Sequence, residues 1–127
     1  MKENEIATAV IDACYRVHTA LGPGLLESVY EATLAYELGK RGLEVVSQRG
    51  VPVVYEEVKL ELGFRIDLLV NGKVIVEVKS VEALADVHFK QVLTYLKLSD
   101  LRLGILVNFN VPSLKDNVRR IINGRLT

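Results

Sequence analysis

Hydrophobic positions recur every three to four residues at the start of the chain, at every second residue in its middle, and every three to four again further on. Ile6, Val10, Ala13, Cys14, Val17 and Leu21 keep helical spacing, with Glu5, Asp12, Arg16 and Thr19 largely elsewhere around the wheel. A first helix is expected there, with Asn4 as its N-cap. Gly22-Pro23-Gly24 interrupts it, and a second helix is expected from about Leu25 to Arg41, stopped by Gly42. Leu26, Val29, Tyr30, Thr33, Leu34 and Leu38 mark its buried side. Strand signals follow over Glu44–Gln48, Val51–Lys59, Leu60–Val70 and Val74–Val78, with Gly63 as a bulge. A third helix is expected from about Asp86 to Leu98, with Phe89, Val92, Leu93 and Leu96 toward the core and Lys90, Thr94 and Lys97 in solvent. Leu103–Asn108 reads as a buried strand, and Ser113 as the cap of a last helix over Leu114–Ile122. Strands paired antiparallel and then joined through a helix give a mixed sheet flanked by helices, an α/β arrangement.

Three charges interrupt the most hydrophobic part of this pattern. Asp67, Glu77 and Lys79 stand among aliphatic residues on either side of Asn71-Gly72. Charged groups in such company cost free energy unless they are paired, solvated or bound to a metal. Register decides whether they meet. A two-residue Asn-Gly loop pairs Val70 with Lys73 and sets Asp67 opposite Val76. A three-residue loop, Asn71-Gly72-Lys73 with Gly72 left-handed, pairs Val70 with Val74, Leu68 with Val76 and Ile66 with Val78. The other face then carries Leu69 with Ile75, Asp67 with Glu77 and Arg65 with Lys79. Only this register sorts the apolar residues, because a slip of one residue exchanges a strand's faces. Directly paired residues have Cβ atoms about 4.5–5.5 Å apart, close enough for two carboxylates to hold one cation.

A carboxylate pair is the donor set that a hard divalent ion such as magnesium prefers, completed by water and phosphate oxygens. Asp67 and Glu77 are the expected ligands, with the Val78 carbonyl as a further one. Lys79, one step along the same face, has the charge to stabilise a phosphate or to orient an attacking water. The same residues also admit a structural ion cluster, with Lys79 and Arg65 neutralising Asp67 and Glu77 on a solvated face. Spacing alone does not choose between the two. Glu27 falls in the first turn of the second helix, where the helix dipole favours an acid for its own sake. Tyr30, three residues on, is either a holder of Glu27 or of a water, or a half-buried core aromatic. His88, Gln91 and Tyr95 share one helical stripe, either a wet edge or groups turned toward the site. His18, near the end of the first helix, suits the dipole and receives no catalytic role.

Composition narrows the setting. At 127 residues the chain fits one domain with an aliphatic core. Sixteen basic and sixteen acidic residues cancel, so nucleic-acid contact requires a local patch, for which Lys115, Arg119, Arg120 and Arg125 are candidates. Basic residues near a helix C-terminus are also favoured in their own right, and no aromatic interleaving marks a base-stacking platform. The single cysteine, Cys14, allows no internal disulfide, suits a reducing cytoplasm and lies among the first helix's core positions. No secretory signal is visible, and no apolar run nears the roughly 18 residues a membrane span needs. A soluble, cytoplasmic protein without membrane partners is expected.

Ile66-Asp67 … Glu77-Val78-Lys79, preceded by helix-borne Glu27 and followed by Gln91 and Tyr95 on a helix, resembles the PD-(D/E)xK nuclease superfamily. Gly24-Leu25-Leu26-Glu27-Ser28-Val29-Tyr30 is similar to the signature of the GxxExxY proteins placed within it. The resemblance spans Ile6 to about Asn123 and departs at Ile66, where the pattern has proline. It implies a restriction-endonuclease-like αβββαβ core, a central mixed sheet flanked by helices, in a single domain over residues 1–127. It further implies a catalytic set of Glu27, Asp67, Glu77 and Lys79, with a metal at Asp67, Glu77 and Glu27. Glu27 would act directly or through a metal-bound water. Tyr30, Gln91 and Tyr95 support the site, Gln91 by positioning Lys79 or a nucleotide phosphate and Tyr95 by supporting Gln91.

The expected function is a divalent-metal-dependent phosphodiesterase that hydrolyses nucleic acid, DNA foremost, by metal-activated water, with magnesium or else manganese. The fold also serves proteins that have lost cleavage. The rival is therefore a nuclease-fold module, catalytically weak or inactive, that binds nucleic acid or a protein partner. A third expectation is a homodimer whose interface covers Leu69 and Ile75, two apolar residues on the otherwise polar side of the hairpin.

Overall fold

The structure, a computed structural model, describes residues 1–126. Helices α1 (Glu3–Leu21) and α2 (Glu27–Lys40) precede strands β1 (Val45–Tyr55), β2 (Val58–Val70) and β3 (Val74–Lys79). Helix α3 (Asp86–Ser99) then leads to β4 (Leu103–Asn108) and β5 (Val118–Ile122). The strands form one sheet in the order β1-β2-β3-β4-β5. Only β3 and β4, joined through α3, run parallel among these neighbours. A crossover helix is what a parallel pair requires. The elements from α2 to β4 thus follow the expected αβββαβ order, a mixed sheet flanked by helices.

Two apolar layers sandwich the sheet. Leu68, Val70, Val74, Val76, Val78, Leu103, Ile105 and Val107 pack with Ile6, Val10 and Val17 of α1 and with Leu34 and Leu38 of α2. On the other side Leu69, Ile75 and Leu106 pack under Val92 and Leu96 of α3. Leu69 and Ile75 are therefore covered by the chain's own helix, which removes the reason for expecting a homodimer through them. Cys14 is buried as expected, and burial pushes its thiol up to about 12.

Several boundaries differ from the pattern. The N-cap of α1 is Lys2, whose backbone N–H donates to the Glu5 carboxylate at 3.0 Å, while Asn4 accepts from Arg120 of β5. Leu26 precedes α2 as its N-cap and is exposed, as is Val29, so Tyr30, Leu34, Glu37 and Leu38 form the buried arc instead. The strands expected between Glu44 and Val70 are two long ones, turning at Glu56-Glu57 with Glu56 left-handed (φ 53°). Their register shifts between Val51 and Val53, opposite Gly63. A Cβ on Gly63 would lie 2.1 Å from Val53 Cγ2, so only glycine fits there. β2 pairs with β3 over Leu68–Val70 alone, and the hairpin's outer part extends beyond the sheet with Val54, Tyr55, Val58, Leu60 and Leu62 exposed.

The last helix expected over Leu114–Ile122 is replaced by β5. Asp116 is left-handed (φ 67°), which breaks a helical run, and Val118, Ile121 and Ile122 carry β-branched side chains that pair antiparallel along β4. Strand alternation then separates the expected basic patch. Arg120 reaches Asn4 of α1, whereas Arg119 lines a cavity with Phe89 of α3. The two arginines do not form one phosphate-binding cluster.

Candidate active site

The β2–β3 hairpin adopts the three-residue loop, with Leu68 opposite Val76, Leu69 opposite Ile75 and Val70 opposite Val74. Lys73 N–H closes it onto the Val70 carbonyl at 3.0 Å. Asn71 (φ 52°) is left-handed as well as Gly72 (φ 66°); asparagine is among the few residues that tolerate this.

Beyond Leu68 and Val76 the backbone ladder stops and side chains take over. Asp67 N–H donates to Glu77 Oε1 at 3.1 Å, and Val78 N–H donates to Asp67 Oδ2 at 2.9 Å. The two carboxylates also lie within hydrogen-bonding reach of each other. Alternation along β2 is broken at the same point. Leu68 packs toward α1 and α2, yet Ile66, two residues earlier, packs toward α3, so the expected sharing of one face by Ile66 and Val78 does not occur. Gln48, next to Arg49 which pairs with Ile66, is left-handed (φ 53°) and marks the twist on β1. Arg65 donates to the Gln48 carbonyl at 3.3 Å rather than standing beside Lys79.

Glu77 is only 3% exposed. Burial, and then the charge of Asp67, push its carboxyl up to about 8, with the Lys79 ammonium working in the opposite direction. Among the described residues no Lys or Arg nitrogen comes within ion-pair distance of Asp67 or Glu77; every such bridge lies elsewhere. The structural ion cluster thus lacks its bridges.

Glu27 is the first residue of α2, and its Oε2 accepts the Ser80 N–H at 3.2 Å. Ser80 Oγ donates to the Leu25 carbonyl at 2.6 Å, so the segment after Lys79 is laced to the start of α2. Tyr30 does not hold Glu27. It is fully buried, stacked on Phe109 at 4.6 Å, and its hydroxyl donates to the Gly22 carbonyl at 2.5 Å while accepting from Leu25 N–H at 3.2 Å. Its contribution is to fix the turn that aims α2.

Tyr95 lies over Phe64, ring centroids 4.1 Å apart. Its hydroxyl is pushed up by burial and by the charges of Glu77 and Asp67, with a hydrogen bond from Gln91 lowering it. Tyr95 is therefore near enough to the acidic pair to feel its charge, although no hydrogen bond joins Gln91 to Lys79 among the described residues. His88 belongs to the same stripe but accepts from Ala85 N–H at 3.0 Å, capping α3. His18 Nε2 donates to the Val111 carbonyl at 2.7 Å.

Two residues were missed by sequence reasoning. The Gln48 amide donates to both oxygens of Glu31, at 2.8 and 3.0 Å, with a longer 3.4 Å contact to Asp67 Oδ1. Burial pushes the Glu31 carboxyl up; Gln48 lowers it, and the charges of Asp67 and Glu27 raise it further. The spacing Glu27-x-x-x-Glu31 places two acids on one helix face and was a usable signal for Glu31. Gln48 had none.

The sequence matches the family model described as the PD-(D/E)XK nuclease superfamily over residues 4–121. The chain belongs to this superfamily. No curated protein matches the sequence. PD-(D/E)XK nucleases use divalent metals, and the described residues fit one in part. Asp67 and Glu77 offer hard oxygen donors that are close together, half-buried and buried respectively, and bridged by no Lys or Arg of the described residues. Among the described residues no group of three His, Cys, Asp or Glu side chains gathers as a metal site. Asp67 and Glu77 therefore fit as a pair, and Glu27, held by Ser80 N–H, does not join them as a direct ligand.

Proposed function

We propose that this PD-(D/E)XK protein is a magnesium-dependent phosphodiesterase, able also to use manganese, that cleaves nucleic acid, DNA foremost. The observation that carries the reading is the Asp67–Glu77 pair: two carboxylates crossed over each other's strands, one almost wholly buried, and neither bridged by a cation. Such a pair stays doubly ionised only with a compensating positive charge. A divalent ion held there by Asp67 and Glu77 would supply that charge and polarise a phosphate oxygen. Lys79, half-buried at the end of β3, brings a second positive charge to stabilise the pentavalent phosphorus or orient the attacking water. Gln48, held by Glu31 of α2, approaches Asp67 from that side, and Tyr95 with Gln91 close the α3 side. Glu27 acts at one remove, through a water or by holding Ser80.

We place the chain with the GxxExxY proteins on Gly24 to Tyr30, a reading supported by the Tyr30 hydroxyl, which ties Gly22 and Leu25 ahead of Glu27. We read residues 1–127 as one nuclease-like domain acting in the cytoplasm, a setting that its lone buried thiol suits. No helix among the described residues is long and apolar enough to cross a membrane.

The test is cleavage of single-stranded, duplex and branched DNA with magnesium or manganese, and its loss in Asp67→Ala and Lys79→Ala. Intact substrates under all these conditions would remove the enzymatic reading. One observation favours the rival, a non-cleaving binding module: the third acid, Glu27, is already engaged by Ser80 N–H. Calorimetric titration with magnesium separates the two, since a binding module has no need of a metal at these carboxylates.

A further inference from the structure

The largest cavity among those described lies away from the acidic pair yet begins one residue from it. Its volume is about 380 Å³, within the range of small-molecule sites. Val51, Ile66 and Leu69 form apolar walls on the α3 side of β1 and β2, with Arg49 and Ser99 as polar points. Ile66 precedes Asp67 directly, and Arg49, its partner in the β1–β2 ladder, follows Gln48, whose amide approaches Asp67. The strand that carries Asp67, β2, and the strand that carries Gln48, β1, therefore both continue into the cavity.

Its charged group lacks a partner. Arg49 is exposed, and among the described residues its guanidinium makes no ion pair or hydrogen bond. An apolar slot beside a free guanidinium matches one ligand chemistry well: a flat, weakly polar ring attached to an anionic phosphate.

We infer that this cavity is a nucleotide subsite, which takes one unstacked nucleotide of the strand whose backbone lies at Asp67 and Glu77. The base rests against Val51, Ile66 and Leu69, and the adjoining phosphate meets Arg49. This rests on the nuclease reading and sharpens it. A base inside a duplex reaches such a slot only at the cost of unstacking and unpairing, so the substrate is single-stranded or splayed nucleic acid.

The test is binding, so that it does not depend on cleavage. A short oligothymidylate is titrated, with chelator present, into the wild type and into Arg49→Ala and Val51→Trp, the first removing the cation and the second filling the slot. Arg49 is exposed, so its variant folds even if the tryptophan is not accommodated. The expected result is a loss of affinity of about tenfold or more in each folded variant. Thymidine 5′-monophosphate should also shift the amide resonances of Val51 and Ile66 in the metal-free wild type. Unchanged oligothymidylate affinity in Arg49→Ala, or a mononucleotide that shifts neither amide, overturns the inference. If no nucleic acid is cleaved but these binding results hold, the subsite stands and the phosphodiesterase reading falls.

Discussion

Asp67 and Glu77 serve as each other's strand partners: Asp67 donates its backbone N–H to Glu77 Oε1, and Asp67 Oδ2 accepts the N–H next to Glu77, that of Val78. Where a hairpin ordinarily exchanges backbone bonds, this one exchanges carboxylates. The substitution keeps both N–H groups satisfied in a buried setting, and it brings two negative charges together.

That crowding makes metal-free stability fall with rising pH. The Glu77 carboxyl is raised from 4.5 to about 8 in the folded protein, chiefly by burial. Between those values the native state binds more protons than the unfolded chain, so its contribution is complete below the lower value and is lost progressively up to the upper one. The Tm of chelated protein should drop across that window and level off above it. Glu77→Gln should flatten the profile, and magnesium should restore the wild-type Tm on the alkaline side. A Tm slope identical in wild type and Glu77→Gln would show that Glu77 is not the group titrating.

Lys79 separates chemistry from metal binding. Its ammonium lowers the Glu77 carboxyl without bridging it, so removing it leaves the carboxylate pair and its geometry in place. Lys79→Met is expected to cut kcat by about 10²–10³, the scale set by losing one preorganised charge at a transition state. Calorimetry should find magnesium affinity equal or higher, since a repelling cation has gone. A variant that loses magnesium binding and cleavage together would make Lys79 a structural residue.

Gln48 offers a test of the residues that hold Asp67. Its amide spans Glu31 and Asp67 from a left-handed backbone position. Gln48→Gly keeps that conformation without strain and deletes only the side chain. Magnesium affinity should weaken about tenfold or more, as is typical when a group supporting a ligand is removed. Unaltered affinity would leave Glu31 and Gln48 as bystanders.

The fold's central part was legible because its hydrophobic periods are unambiguous. Val74–Val78 and Leu103–Asn108 were found almost to the residue, and the register at Val70 and Val74 followed from sorting apolar residues onto faces. Face-sorting failed at Ile66, because alternation presumes a regular ladder and the pairing of β2 with β3 ends at Leu68. Leu114–Ile122 failed for a related reason: a short β-branched run reads equally as helix or strand until β4 is there to pair with it. Tyr30 was placed beside Glu27 by helical spacing alone. Spacing fixes a direction, and the stacking partner Phe109, far away in sequence, fixes the contact.

Packing of α3 gives a final test that joins stability to the site. Gly104 of β4 lies beneath that helix, where a Cβ would stand 2.6 Å from Val92 Cγ1 and 3.4 Å from Leu96 Cδ1. The helix sits this close to the sheet because residue 104 has no side chain. Gly104→Ala must therefore push α3 outward, at about 1–3 kcal/mol for overpacking a filled core. Because α3 also carries Gln91 and Tyr95, the shift should draw Tyr95 away from Glu77 and lower cleavage along with Tm. Val92→Ala in the same chain makes room for the new methyl group. The double variant should be more stable than the sum of the single changes implies, and cleavage should recover with it. Strictly additive Tm losses would mean that residue 104 does not set the distance between α3 and the sheet.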